Sequence, residues 1–287
     1  PARLVPGWIE PALAHVDQAA LLSRAPMDLR ANRMRTTRAA ILPQFRGAVP
    51  TRFAPDGIRL VEPVPVETHP AFQQGLIEVQ DEGSQLIALA CGARAEETVV
   101  DLCAGAGGKT LALAASMEAR GRLIACDTDR ARLSRLPPRA ARAGATAIEV
   151  RLLDPQREAK RLDDLRNVAD CVLVDAPCSG TGTWRRNPEA RWRLTPARLD
   201  RLTLLQARLL DLAADLVRPG GRLVYAVCSL LDAEGADRIA AFKADRQGWH
   251  VRRPFAEPGT DRGDGVLLSP GTDGTDGFFV ASLVRPC

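Results

Sequence analysis

The chain of 287 residues is long enough for one large domain, or for a large domain with a small companion. Its 46% hydrophobic and 26% charged residues are typical of a globular protein, and no apolar run has the length that spans a membrane, so we expect no membrane partner. The formal charge of +4 is carried almost entirely by arginine, since Lys109, Lys160 and Lys243 are the only lysines.

The seven cysteines indicate a reducing compartment rather than a disulfide framework or a zinc site. Their number is odd, none of them forms a Cys-x-x-Cys pair, and the three histidines are scattered. We therefore expect a cytoplasmic protein without a bound metal. We also expect it to be a monomer.

Residues 1–74 are predicted to form a small α+β domain. Apolar residues within 8–22 are spaced for one face of a helix, residues 27–35 suggest a strand running into a second helix, and residues 53–66 suggest a hairpin and a connector. Between residues 24 and 46 there are six arginines and a single acid. Such a stretch is usually a solvated surface, and the sharper interpretation is a surface that faces RNA.

Residues 75–287 are predicted to form a second, larger domain of the α/β class. Predicted strands occupy residues 98–102, 122–126, 147–152, 171–174, 222–228 and 277–284. Predicted helices occupy residues 86–90, 109–118, 130–143, 196–217 and 233–244. This alternation indicates a parallel, doubly wound sheet, in which ligands bind at the carboxyl ends of the strands.

A glycine-rich segment, Asp101–Thr110, joins the first of these strands to a helix. It is not a phosphate-binding loop, because Cys103 stands where a P-loop requires glycine. It is not a dinucleotide fingerprint either, because Thr110 stands where the third glycine is required. A glycine turn preceded by an acid suits a cofactor without phosphates.

Four acids follow the ends of successive predicted strands: Asp101, Asp127, Asp154 and Asp175. Asp127 is placed to accept from ribose hydroxyls and Asp154 from an adenine amino group. Any one of them alone is more often a helix cap or a turn residue. Four in the same register favour an adenosyl cofactor, with S-adenosylmethionine preferred over NAD.

The apolar run at residues 171–174 delivers Asp175 and Cys178 to this edge, on a turn that Pro177 makes stiff. By itself the segment is equally typical of an ordinary turn with an incidental cysteine. Cys228 ends the strand that should lie next to it. The residues alone do not decide which of the two cysteines attacks a substrate.

Together these motifs resemble the RNA cytosine-5 methyltransferases of the NOL1/NOP2/Sun family, in their bacterial Fmu/RsmB-like branch. The main matches are Asp101–Thr110, Asp127, Asp154, Asp175–Gly180 and Tyr225–Ser229. Flanking matches are Arg30, Asn32 and residues 80–85, 186–189 and 276–279, so the resemblance covers the chain from about residue 29 onwards.

The resemblance implies a Rossmann-like, class I S-adenosylmethionine-dependent methyltransferase domain, preceded by an RRM-like domain. It implies methyl transfer to carbon 5 of cytosine in RNA, with 16S ribosomal RNA as the expected substrate and transfer RNA as the alternative. In the family, the cysteine matching Cys228 attacks carbon 6, the one matching Cys178 assists release of the adduct, and Asp175 binds the N3/N4 edge of the base.

Two sets of contacts follow from the motifs. The predicted cofactor contacts are Cys103, Ala104, Gly105, Ala106, Gly107, Gly108, Lys109, Asp127, Asp154 and Asp175. The predicted RNA contacts are Arg30, Asn32, Arg185, Arg186 and Arg191, the last three from an arginine- and tryptophan-rich segment. Lys109 is also a candidate for the cation that activates the nucleophile, and it is equally typical of a helix-surface lysine.

Alternatives and departures from the family pattern remain. A catalytically inactive RNA-binding ribosome assembly factor is the second interpretation, against which the presence of both Cys178 and Cys228 argues. A dehydrogenase or ATPase fails on the glycine spacing. Val227 replaces the usual threonine and Ala106 the usual proline, and the N-terminal helical domain of some bacterial members is not found in these residues.

Overall fold

The first part of the chain folds into a small antiparallel sheet; the computed structural model describes residues 4–287. Its elements are β1 (Met27–Ala31), α1 (Arg38–Ile41), β2 (Val49–Pro50), β3 (Gly57–Leu60), α2 (Pro70–Gln73) and β4 (Ile77–Val79). The strands lie in the order β2-β3-β1-β4, and apolar residues of β1, β3 and β4 pack against both helices. Because β4 belongs to this sheet, the sheet extends beyond residue 74. The domain boundary and the RRM-like fold stay predictions.

A nine-stranded sheet forms the larger part of the molecule. Its strands are β5 (Thr98–Asp101), β6 (Arg122–Asp127), β7 (Ile148–Leu152), β8 (Ala169–Asp175), β9 (Val217–Val227), β10 (His250–Arg252), β11 (Thr260–Arg262), β12 (Gly265–Leu268) and β13 (Phe278–Val284). They lie in the order β11-β12-β13-β9-β8-β5-β6-β7, and β10 also pairs with β13. Neighbours among β5 to β9 are parallel, whereas β13 is antiparallel to β9. The predicted α/β class is confirmed.

Helices cover both faces of this sheet. They are α3 (Glu82–Ala90), α4 (Gly108–Ser116), α5 (Arg130–Leu133), α6 (Leu136–Ala143), α7 (Glu158–Arg161), α8 (Ala190–Arg193), α9 (Pro196–Leu216) and α10 (Ala236–Asp245). Successive residues of β8 alternate between two apolar cores, with Val172 in one and Leu173 in the other. This two-sided burial explains the unbroken apolar run in the sequence. Among residues 4–287, no helix is long and apolar enough to cross a membrane.

Residues 8–22 do not form the predicted helix. They form turns with two short 3-10 segments, Pro11–Leu13 and Ala20–Leu22. Asp17 accepts hydrogen bonds from the backbone N–H groups that follow it, which turns the chain where a helix would continue. The predicted apolar side does exist, but its buried residues join the core of the large sheet: Ile9, Leu13 and Leu21.

The predicted helix over residues 130–143 is divided into α5 and α6. Pro137 and Pro138 stand just after the division. A proline lacks a backbone donor and disfavours the helical conformation of the residue before it, so the chain restarts as a new helix with proline in its first turn.

Candidate active site

The two cysteines singled out in the sequence meet at the carboxyl edge of the large sheet. Strands β8 and β9 run parallel and end side by side. We call the segments that follow them, residues 176–182 and 228–231, the two cysteine turns. A hydrogen bond from Gly182 N to Cys228 O joins these turns. Sγ of Cys178 lies 3.2 Å from Sγ of Cys228.

A partly buried ion pair accompanies the two thiols. Nζ of Lys109, in the first turn of α4, is 2.6 Å from Oδ2 of Asp175, the last residue of β8. Burial lowers the pKa of Lys109, but the charges of Asp175 and Cys228 and the hydrogen bond to Asp175 outweigh it, so the pKa is raised. The ammonium group is therefore charged at neutral pH and can stabilise a thiolate at Cys228.

Cys178 is held as a protonated thiol. Its hydrogen bond with Cys228 and, after that, its burial raise the pKa of Cys178 well above the usual value. Either sulfur could be the donor in the contact between them, and a protonated Cys178 is able to donate to the Cys228 sulfur.

The glycine turn between β5 and α4 is fixed by Asp127. The backbone N–H of Gly105 donates to Oδ2 of Asp127 at 2.7 Å, so the turn lies against the end of β6. Gly105 and Gly107 have φ values of 56° and 87°, which disfavour other residues. A Cβ atom at Gly107 would also lie 2.2 Å from Cδ1 of Leu136. The sequence therefore needs glycine here for both conformation and space.

Two cavities adjoin the glycine turn and share Cys103, Arg132 and Asp175. The smaller has a volume of about 330 Å³ and is lined, among others, by Gln80, Asp101, Ala104, Ala106, Gly108 and Lys109. The larger has a volume of about 580 Å³ and is lined, among others, by Asp127, Leu153, Pro177, Cys178, Leu205 and Cys228. The glycine turn, three of the four strand-end acids and both thiols thus border one pair of adjoining cavities.

Buried polar atoms beside the glycine turn fit the expected cofactor. Oδ1 of Asp101 and Nε2 of Gln80 lack a hydrogen-bond partner. Burial raises the pKa of Asp101 to about 7, although the Thr110 hydroxyl donates to its Oδ2 at 2.7 Å. A cationic group would stabilise the ionised carboxylate, and an acceptor would satisfy the amide. S-adenosylmethionine carries both kinds of group at its methionine end.

Two further predicted cofactor contacts differ in their surroundings. Cys103 lines both cavities, and burial raises its pKa well above the usual value, so it is a neutral thiol. Asp154 follows β7 and is exposed, with its Oδ2 3.9 Å from Nε of Arg161. An exposed acid at the end of a strand remains available, and its contact with adenine stays a prediction.

Arg30 and Asn32 are corrected as RNA contacts, because both are buried inside the protein. Nε of Arg30 donates to Oε1 of Gln80 at 2.7 Å. Nδ2 of Asn32 donates to Gly75 O at 2.9 Å and to Ala143 O at 2.8 Å. Asn32 therefore connects the small sheet to the end of α6, and neither side chain is available to a ligand at the surface.

Arg185 is corrected in the same way. Its Nε donates to Oδ1 of Asp276 at 2.6 Å, and only 4% of its side chain is exposed. Arg186 also pairs with Asp276 and with Asp81, although a third of its side chain remains accessible. Arg191 is partly exposed and lies over the Trp192 ring, 5.3 Å from its centroid. Among the described residues no acid pairs with Arg191 within 4.0 Å, and its contact with RNA stays a prediction.

Sequence reasoning missed two polar residues at this site. Gln80 lies within the matched segment 80–85, and that match was the signal that could have drawn attention to it. Glu234 is fully buried against the Cys178 turn. It stands outside every motif in the sequence, and only the folded chain shows its position.

The combination of glycine turn, strand-end acids and paired thiols corresponds to a known family. A family model described as 16S rRNA methyltransferase RsmB/F matches residues 88–284, which include all of these features. The chain belongs to the RsmB/F family. The predicted family is thereby confirmed, and with it the fold and the S-adenosylmethionine cofactor that characterise these methyltransferases.

Relatives and solved structures extend the comparison of this RsmB/F chain. Ribosomal RNA small subunit methyltransferase B of Enterobacter sp. (strain 638) is 36% identical over 266 residues, covering 91% of this chain and 60% of the relative. The crystal structure of PH0851 has a TM-score of 0.91 at 29% identity, covering 97% of this chain and 66% of that chain. A methyltransferase homolog from Pyrococcus horikoshii has a TM-score of 0.82 at 25% identity, covering 98% and 92%. The chain thus spans 60% of the length of the Enterobacter relative.

Proposed function

We propose that this RsmB/F family member transfers a methyl group from S-adenosylmethionine to carbon 5 of a cytosine in 16S ribosomal RNA. The observation that carries the proposal is the 3.2 Å approach of the Cys178 and Cys228 sulfurs beside the Lys109–Asp175 ion pair. Carbon 5 of cytosine is a poor nucleophile, and a thiolate that adds to carbon 6 makes it reactive.

The chain's own groups would hold the cofactor at the edge of the sheet. When bound, S-adenosylmethionine supplies an electrophilic methyl group on its sulfonium. The glycine turn, residues 103–109, would hold its methionine end, with Asp101 beneath. Asp127 would accept from the ribose hydroxyls and Asp154 from the adenine amino group. Asp175 lines both cavities, so it would border the cofactor as well as the base.

Cys228 is the proposed nucleophile. Its sulfur forms a bond to carbon 6 of cytosine, and the electron pair of the C5=C6 bond shifts towards carbon 5 and the N3/N4 edge. Asp175 hydrogen-bonds that edge, and the charged Lys109 stabilises the thiolate before it attacks. Carbon 5 is then nucleophilic enough to take the methyl group.

Cys178 is proposed to assist release of the methylated RNA from Cys228. Transfer of the carbon 5 proton to solvent water re-forms the C5=C6 bond and expels the Cys228 sulfur as a thiolate. The protonated Cys178, 3.2 Å away, donates a hydrogen bond to the departing sulfur. Without this thiol, the covalent RNA adduct is expected to persist.

Small-subunit ribosomal RNA is the proposed substrate, with transfer RNA as the alternative. The family description and the name of the Enterobacter relative support this choice. The base must leave its stack to reach the thiols, and the exposed Trp192 with Arg191 offers an aromatic and cationic surface for unstacked RNA. We further propose that the protein acts as a monomer in the cytoplasm.

The proposal is tested with wild type, Cys178→Ala and Cys228→Ala, incubated with S-adenosylmethionine and small-subunit RNA. We expect an RNA adduct that survives denaturing gels with Cys178→Ala and is absent with Cys228→Ala. Cys287→Ala is the matched control, because Cys287 is a free, exposed cysteine. The reverse pattern would exchange the two roles. No adduct and no methyl transfer by wild type would support an inactive RNA-binding assembly factor instead.

A further inference from the structure

A buried carboxylate lies behind the turn that carries Cys178. Glu234 ends the 3-10 segment Asp232–Glu234, between β9 and α10, and has 0% of its surface exposed. Burying a carboxylate is costly unless its oxygens receive hydrogen bonds. The groups that hydrogen-bond to Glu234 must therefore compensate for the burial of its carboxylate.

Glu234 accepts hydrogen bonds from the residue that follows Cys178. Oε1 accepts from the backbone N–H of Ser179 at 2.9 Å, and Oε2 accepts from the Ser179 hydroxyl. Oε1 also accepts from Nε2 of Gln206 at 3.0 Å, and the same Nε2 donates to Pro177 O at 2.9 Å. One carboxylate, together with one amide from α9, thus fixes the residues on both sides of Cys178.

No lysine or arginine of residues 4–287 forms an ion pair with Glu234 within 4.0 Å. The two carboxylate oxygens are instead occupied by Ser179 and Gln206. Tyr225 adds a hydrogen bond of 2.7 Å to the backbone oxygen of Glu234, which ties this segment to β9. Neutral donors keep the carboxylate directed at the Cys178 turn, whereas a cation would compete for it.

The same network reaches the turn of Cys228 through hydroxyl groups. Oγ of Ser179 lies 3.2 Å from Oγ of Ser229, the residue after Cys228. Thr181 lies 3.2 Å from the same Ser229 oxygen. Each reactive cysteine is therefore followed by a serine, and the two serines are in contact beneath the two sulfurs.

We propose that Glu234 is a positioning residue for release, which holds the Cys178 thiol against the Cys228 sulfur; this inference rests on the proposed function. Cys228 follows β9, whose pairing with β8 and β13 fixes its backbone independently of Glu234. The backbone N–H of Ser179, next to Cys178, instead donates to the Glu234 side chain. Loss of Glu234 should therefore displace Cys178 more than Cys228, and slow release more than attack.

The test measures the lifetime of the RNA adduct in Glu234→Ala and Glu234→Gln, each with both cysteines intact. Glu234→Ala is expected to prolong the adduct roughly tenfold or more, because a buried hydrogen-bonded anchor is lost. Glu234→Gln keeps an oxygen for the Ser179 N–H, and it is expected to restore part of the wild-type lifetime. Glu234→Ala combined with Cys228→Ala should form no adduct.

The variant Glu82→Ala is the control that distinguishes a role of Glu234 in release from a merely structural role. Glu82 is also fully buried and accepts from two backbone N–H groups, at Phe53 and Ala54, outside both cysteine turns. This variant should lose stability without prolonging the adduct. A Glu234→Ala adduct as short-lived as that of Glu82→Ala at equal folded fraction would overturn the inference. If Cys178→Ala itself trapped no adduct, that result would contradict the proposed function, whatever the Glu234 variants showed.

Discussion

The cysteine turns and the arginine-rich segment at residues 184–193 are neighbours in the chain, but they are placed by different kinds of interaction. Cys178 and Cys228 follow adjacent parallel strands, which bring their sulfurs to 3.2 Å. Arg185 instead turns inwards to Asp276, which is 91 residues further along the chain. Sheet topology fixes the position of the thiols, whereas the position of an arginine side chain depends on the acidic residue with which it forms an ion pair.

The largest expected effect that separates these two regions is on stability. Arg185→Met should lower the free energy of unfolding by about 3 kcal/mol, because it leaves the buried carboxylates of Asp81 and Asp276 to share Arg186. Urea denaturation measures this loss. Arg193→Met is the control, since Arg193 is exposed and lies 3.7 Å from Glu189. Unchanged stability combined with weaker RNA binding would reinstate Arg185 as an RNA contact.

The next effect is on the rate of attack by Cys228. Lys109→Met keeps the length of the side chain but removes the charge beside the thiolate, so adduct formation should slow by about 100-fold or more. Rapid-quench measurement of adduct formation in a Cys178→Ala background gives this rate directly. Lys160→Met, on the exposed side of α7, should leave it unchanged. A wild-type rate in Lys109→Met would show that Lys109 is not the cation that activates Cys228.

A smaller effect concerns the pH dependence of cofactor binding. Burial raises the pKa of Asp101 from 3.8 to about 7, so in the free protein the carboxyl is increasingly protonated below pH 7. The cofactor's ammonium group favours the ionised form, and binding at pH 6 must therefore release a proton. Affinity should fall by up to about tenfold per pH unit below pH 7 and level off above it.

Calorimetry with S-adenosylhomocysteine between pH 5.5 and 7.5 measures this dependence. Asp101→Asn removes the titrating group while it keeps the size of the side chain. The affinity of this variant for S-adenosylhomocysteine should be lower and should not change with pH across this range. A wild-type affinity that does not change with pH would mean that Asp101 is ionised before the cofactor binds.

The smallest effect is on RNA affinity at the exposed end of the arginine-rich segment. Arg191→Ala should weaken RNA binding a few-fold and reduce the slope of log affinity against log salt by about 1. Fluorescence anisotropy across a salt series measures both quantities. Arg30→Met should leave that slope unchanged, because Arg30 is buried against Gln80. Equal slopes for wild type and Arg191→Ala would place the RNA elsewhere.

The sequence predicts those parts of the fold and site that follow local rules. Each predicted strand of residues 98–228 is present. Buried apolar runs bounded by turns identify the central strands, whereas the edge strand β7 alternates apolar and polar residues. The glycine turn follows from Gly105 and Gly107, whose positive φ values other residues would resist. The helix predicted within residues 8–22 was wrong, because Asp17 redirects the backbone where apolar spacing alone suggested a helix.

Interactions between distant segments could not be predicted in this way. Asn32 matches the family in sequence, but its bonds to Gly75 and Ala143 depend on how the small sheet packs against α6. Glu234 belongs to no motif, and its contact with Ser179 exists only after β9 and α9 have folded around the Cys178 turn. Polar residues of this kind are recognised from their partners, and the partners are set by tertiary structure.

The most direct test of the central claim identifies the sulfur that bonds to the base. Small-subunit RNA containing 5-fluorocytidine has no carbon 5 proton to lose, so the wild-type adduct should remain covalent after methyl transfer. Protease and nuclease digestion followed by mass spectrometry then locates the modified cysteine. We expect the modified nucleoside on the peptide that contains Cys228. Its presence on the Cys178 peptide would contradict the assignment of nucleophile and releasing residue.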